Sequence, residues 1–76
     1  MPKILPVSYK KLIWIFEKEG FILLRTKGDH LVYFKKGILR PVVIPMYDNV
    51  PIFIIKNLLR TTGISREKYF ELLNQC

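Results

Sequence analysis

Apolar residues recur along this chain at two spacings, and the switch between them divides it into helices and strands. Over residues 9–19, Tyr9, Leu12, Ile13 and Phe16 fall on one stripe at about 100° per residue, while Lys10, Lys11 and Lys18 share the opposite side with Trp14 among them, an indole that either stacks on a base or partner or laps over the core edge. Ser8 is placed to cap this helix, Val7 and Leu12 to staple its start, and Gly20 to stop it. Three runs rich in branched and aromatic side chains follow, at residues 21–26, 30–35 and 40–44. Lys27-Gly28-Asp29 reads as the hairpin turn between the first two, and Gly37 marks the second turn, which predicts an antiparallel meander. Pro41 and Pro45 cannot donate ladder hydrogen bonds, so the third strand should leave one side unpaired or end early.

Both alternation sets of these strands are apolar: Phe21 and Leu23 against Ile22 and Leu24, Leu31 and Tyr33 against Val32 and Phe34. A sheet of that kind needs two covers. Helices can shield one face, leaving the other for a second copy of the chain in a homodimer, a protein partner or a ligand. Pro51, after Asp48-Asn49, is expected at the first position of a second helix that ends at Gly63. Ile52, Ile54, Ile55, Leu58 and Leu59 span its buried arc, with Lys56, Asn57, Arg60 and Phe53 opposite. Ser65 can cap a last short helix over residues 66–74, stapled by Ile64 and Tyr69 and packed down by Tyr69, Phe70, Leu72 and Leu73. The expected class is α+β: a three-stranded antiparallel sheet with helices on one face, in the order αβββα plus a short C-terminal helix.

The 76 residues, half of them apolar, make a single domain over 1–76 with its core within about residues 7–74. A domain of this size buries only about 60% of its unfolded surface. The lone cysteine, Cys76, allows no internal disulfide, which makes a cytoplasmic setting the default. Met1-Pro2-Lys3-Ile4-Leu5-Pro6 lacks an apolar stretch of signal-peptide length, and no run approaches a membrane span, so no membrane partner is expected. A net charge of +7 favours polyanions, of which nucleic acid is the commonest in cytoplasm.

His30 is the only histidine, at the start of the second strand beside the turn, and is the natural place for proton chemistry near neutral pH. Tight zinc binding needs several nitrogen or sulfur ligands, so one His and one terminal Cys predict no metal site, and no other cofactor is expected. Neither a Gly-rich phosphate loop, a second histidine nor a serine triad is present. The remaining chemistry is metal-free cleavage of RNA, whose ribose 2′-hydroxyl is its own nucleophile. One imidazole with Arg25 and Lys27 nearby supplies part of this, a base and cations for the phosphorane charge. It leaves the proton donor for the 5′-oxygen open among a tyrosine, a lysine, water and a group from a second copy of the chain. Asp29 either orients that imidazole or repels the scissile phosphate.

Lys27-Gly28-Asp29-His30, Val50-Pro51, and the run from Leu58-Leu59-Arg60-Thr61-Thr62-Gly63-Ile64-Ser65 to Tyr69-Phe70-Glu71-Leu72-Leu73 resemble the HicA family of small mRNA-interferase toxins. The resemblance implies a fold like the double-stranded-RNA-binding domain, metal-independent cleavage of mRNA, and inhibition by a HicB-type antitoxin. It also implies that His30 is the catalytic histidine and Gly28 the turn glycine before it. Asp29 stands where the family usually has Ser or Thr, Pro45-Met46-Tyr47 where many members have a histidine, and Phe53 where a helix glycine is common.

Duplex-binding domains of that fold meet phosphates at a basic start to the helix after the sheet, whereas Pro51-Ile52-Phe53-Ile54-Ile55 is apolar. Single-stranded RNA is therefore the expected substrate, its bases stacking on Trp14, Tyr47 or Phe53 and its phosphates meeting Arg25, Lys27, Lys56 and Arg60. The alternatives are a non-catalytic module that binds RNA or an acidic protein through its positive surface, a weakened relative of such toxins, and an outer sheet face that serves assembly alone.

Overall fold

The computed structural model describes residues 3–76. The reading of the N-terminal segment rests partly on Met1 and Pro2, which lie outside the described residues. Helix α1 (Tyr9–Lys18) begins where Ser8, in an extended conformation, accepts a hydrogen bond from the Lys10 N–H at 3.3 Å. It ends at Glu19 with Gly20 at φ +94°, where the Gly20 N–H donates to the Glu17 carbonyl and the Phe21 N–H to the Phe16 carbonyl at 2.9 Å. That bond pair is the Schellman stop, and it carries the apolar contact that usually goes with it. The Phe16 and Phe21 rings meet edge to face with centroids 5.3 Å apart. The same turn thus closes the helix and sets Phe21 into the core at the threshold of the sheet.

Strands β1 (Ile22–Lys27), β2 (His30–Phe34) and β3 (Val42–Pro45) form an antiparallel sheet in the order β1-β2-β3, the expected meander. Their limits differ by one or two residues from those read in the sequence. Phe21 is spent on the helix stop, and β3 starts after Pro41, which has no N–H to give. Register places His30 opposite Lys27 on one side and Pro45 on the other, and Leu31 opposite Thr26 and Ile44. Leu31, Tyr33, Val42 and Ile44 are buried toward the helices, whereas His30, Val32 and Val43 belong to the opposite alternation set. β1 carries a bulge at Leu24, between Leu23 and Arg25, and all six of its residues are exposed.

Helix α2 (Ile52–Thr62) begins one residue later than expected, with Pro51 as the extended N-cap rather than the first helical residue. A proline there loses nothing, since that N–H would have had no partner in the helix. Gly63, at φ +75°, closes the helix by donating to the Leu59 carbonyl at 2.9 Å. Helix α3 (Arg66–Gln75) is capped by Ser65, whose Oγ accepts from the Lys68 N–H at 3.0 Å. α1 packs against β3 and α3, and α2 lies against β3. The α1 stripe that enters the core is Leu12, Ile15 and Phe16, with Tyr9 and Ile13 only half-buried. Because α1 has two neighbours its apolar arc is wide, and Trp14 is half-buried against the core rather than standing free among lysines. Among the described residues no helix is long and apolar enough to cross a membrane.

A polar contact ties the sheet to α1: the Tyr33 hydroxyl donates to Glu17 Oε2 at 3.0 Å. Burial first, and then this bond to a carboxylate, push the Tyr33 pKa from 10.0 up to about 12, and burial raises Tyr69 as well. In both cases the folded protein holds the phenolic proton more tightly than the unfolded chain. Their contribution is therefore complete below pH 10.0, and Tyr33's is lost as the pH rises to about 12. Tyr33→Phe should cost about 1 kcal/mol at pH 7 and show a shallower fall in stability above pH 10 than the parent, read by urea denaturation at a series of pH values.

Candidate active site

The turn that presents His30 is built from two residues, Gly28 and Asp29, between Lys27 and His30. Gly28 has φ +59°, and among the described residues no non-glycine residue, Asp29 included, has positive φ, which is the pattern of a type II′ hairpin turn. The turn is fastened from a second side, because the Met46 N–H donates to the Asp29 carbonyl at 2.8 Å. His30 therefore starts the central strand with Lys27 directly opposite in β1 and Pro45 directly opposite in β3. Its side chain is 44% exposed, and its Nδ1 lies 3.0 Å from Asp29 Oδ1, on a carboxylate that is 71% exposed.

His30 opens onto a cleft of about 580 Å3 between β3 and α2. From β3 come Val42, Val43 and Pro45, with Arg40 and Pro41 just before it and Tyr47 just after. From α2 come Ile54, Asn57, Leu58 and Thr61, one helical stripe at i, i+3, i+4 and i+7, and beside them Arg60. β3 is an edge strand, as its two prolines foretold, and the cleft follows it from Arg40 to Pro45, roughly 15 Å of extended chain. Apolar and polar side chains share the lining about equally: His30, Tyr47, Asn57 and Thr61 are polar, the cleft's charged groups are Arg40 and Arg60, and no carboxylate lines it. A small concave site of this composition suits an anionic ligand, with a proton-transferring group at one end.

Of the residues proposed from sequence, His30, Tyr47 and Arg60 come together in this cleft. Lys27 and Arg25 lie along β1, opposite His30 and Val32 respectively. Trp14, Lys56 and Phe53 do not line it. Trp14 lies under the Lys18 ammonium at 5.3 Å, and Phe53, 67% exposed, stands in the first turn of α2. Sequence reasoning missed Arg40, Asn57 and Thr61 as site residues. Asn57 and Thr61 share the Ile54–Leu58 stripe, a visible signal, but Arg40 reaches the site only because α2 comes to lie against β3. Among the described residues no group of three or more His, Cys, Asp or Glu side chains is arranged to hold a metal ion.

An α+β fold that offers one exposed histidine at the end of a cleft carrying two arginines defines a small protein suited to acting on a polyanion. The family described as the HicA toxin of bacterial toxin-antitoxin matches residues 9–64, most of the chain, and the chain belongs to that family. It is thus a toxin of the toxin–antitoxin kind, a family known for ribonucleases that generally cleave mRNA, and an antitoxin partner goes with it. No curated protein and no solved structure shows significant similarity to the chain.

The left-handed Gly28 sets both the turn and the start of β2. Nothing lies within 4 Å of a Cβ added there, so Gly28→Ala meets only backbone strain. It should lower stability by about 1–2 kcal/mol in denaturant melts and broaden the His30 resonances by loosening the turn.

Proposed function

We propose that this toxin is a metal-independent endoribonuclease that cleaves single-stranded mRNA with His30 as general acid and base, and that a HicB-type antitoxin holds it inactive. The observation that carries the reading is the placement of the one histidine at the mouth of a cleft lined by Arg40 and Arg60. His30 takes the proton of a ribose 2′-hydroxyl, and the 2′-oxygen attacks the adjacent phosphorus. The imidazolium so formed returns a proton, directly or through water, to the 5′-oxygen as its bond to phosphorus breaks. The products are a 2′,3′-cyclic phosphate and a 5′-hydroxyl. Lys27, directly opposite His30 on β1, is the cation beside the reacting phosphate, while Arg40 toward the far end of the cleft and Arg60 on α2 hold other phosphates of the strand.

Two features favour single strands over duplex. The first turn of α2, Ile52 to Ile55, offers no cation to duplex phosphates. Tyr47, 42% exposed at the His30 end of the cleft, offers a ring on which an unpaired base can stack. Trp14, Phe53, Lys56 and Arg25 lie outside the cleft lining and would serve only flanking nucleotides.

His30→Ala should lower cleavage of a single-stranded RNA, in the presence of chelator, by about a hundredfold to ten-thousandfold with little change in melting temperature. Equal cleavage by the two proteins, or products lacking a cyclic phosphate, would overturn the reading. Arg40→Ala and Arg60→Ala should each weaken RNA binding and reduce the steepness of its log–log salt dependence by about 0.7, measured by fluorescence anisotropy on His30→Ala backgrounds.

A further inference from the structure

Adjacent residues of a strand point to opposite faces, so neighbouring side chains there do not meet. Asp29 and His30 meet because Asp29 is the second residue of the turn and His30 the first of the strand. The carboxylate oxygen Oδ1 stands 3.0 Å from the imidazole Nδ1, a hydrogen-bonding distance. An ionised carboxylate only accepts, so a hydrogen bond across this gap has Nδ1 as its donor. A neutral imidazole with its proton on Nδ1 has a bare Nε2. The two ring nitrogens point away from each other, and Asp29 therefore occupies the side of the ring remote from the atom that would take a proton.

We propose that Asp29 is a positioning residue, whose carboxylate holds His30 in the tautomer and rotation that leave Nε2 free toward the cleft. The proposal rests on the reading of His30 as the proton-transferring group. It resolves the ambiguity of a negative charge beside an RNA-cleaving site: this carboxylate is engaged behind the ring. The root of Asp29 is well placed for such a task. Its carbonyl is held by the Met46 N–H at 2.8 Å, and the residue before it is the left-handed Gly28 that fixes the turn. Lys27 stands opposite His30 on β1, and the cleft that His30 opens onto is lined by Arg40 and Arg60 but by no carboxylate, so once the imidazole is protonated Asp29, 3.0 Å away, is the anion that balances it.

A carboxylate 71% exposed is screened by water, so the effect on rate should be moderate. The test compares the full chain with Asp29→Ala, Asp29→Asn and His30→Ala on a single-stranded RNA oligonucleotide with chelator present, and reads the imidazole 15N resonances of the neutral ring. Asp29→Ala should lower kcat about tenfold with KM nearly unchanged, and Asp29→Asn, which keeps an accepting oxygen without the charge, should fall between. The parent ring should carry its proton on Nδ1, and Asp29→Ala should shift the proton toward Nε2. An unchanged or higher kcat in Asp29→Ala, a lower KM that betrays relief of phosphate repulsion, or a parent ring protonated on Nε2 overturns the proposal. Loss of cleavage in His30→Ala with none in Asp29→Ala removes only the role of Asp29. Undiminished cleavage in His30→Ala removes the catalytic reading along with it.

Discussion

The phase of the central strand is the constraint on which the rest of this molecule hangs. β2 alternates between a face that packs under the helices, with Leu31 and Tyr33, and a face that carries His30, Val32 and Phe34. A slip of one residue against either neighbour would exchange the two sets, placing an imidazole in the apolar core and the Tyr33 hydroxyl away from Glu17. The short turn at Gly28 and Asp29 fixes that register from the β1 side, and the bond from Met46 to the Asp29 carbonyl fixes it from the β3 side. The geometry of the site is thus a by-product of the geometry that keeps the core dry.

The elements were readable wherever local chemistry decides them. Ser8 and Ser65 accept from backbone donors at the helix starts, and Gly20 and Gly63 take the left-handed conformations that end α1 and α2. The order of helices and strands follows from those signals and from the change of apolar period. The bulge at Leu24 was not readable, because Ile22, Leu23 and Leu24 are all apolar and a run without alternation carries no phase. At Trp14 the sequence left two readings open, an indole presented among lysines and one lapping over the core edge, and the structure takes the second. A periodicity drawn for one packing neighbour does not foresee that α1 meets α3 as well as β3.

The site was legible in part, and the division is physical. His30 announces itself by chemistry, and its family-like setting agrees with the match over residues 9–64. Arg40 becomes a site residue only through the approach of α2 to β3, a tertiary event that no local pattern encodes. Arg60 and Tyr47 were chosen for charge and ring, and they reach the cleft, whereas Phe53 and Lys56 were chosen on the same grounds and do not line it. On α2 the criterion that sorts Asn57 and Thr61 from Phe53 and Lys56 is which side of the helix turns to the edge strand.

The six residues of β1 are all exposed, so hydrogen bonds to β2, rather than buried apolar contact, carry most of its attachment. A strand held in that way is the natural first piece to peel from the domain, while β2, β3 and the helices keep their shared interior. Such an opening would carry Lys27 and Arg25 away and leave the imidazole on its own strand. The charge around the histidine and the histidine itself are therefore anchored with different firmness.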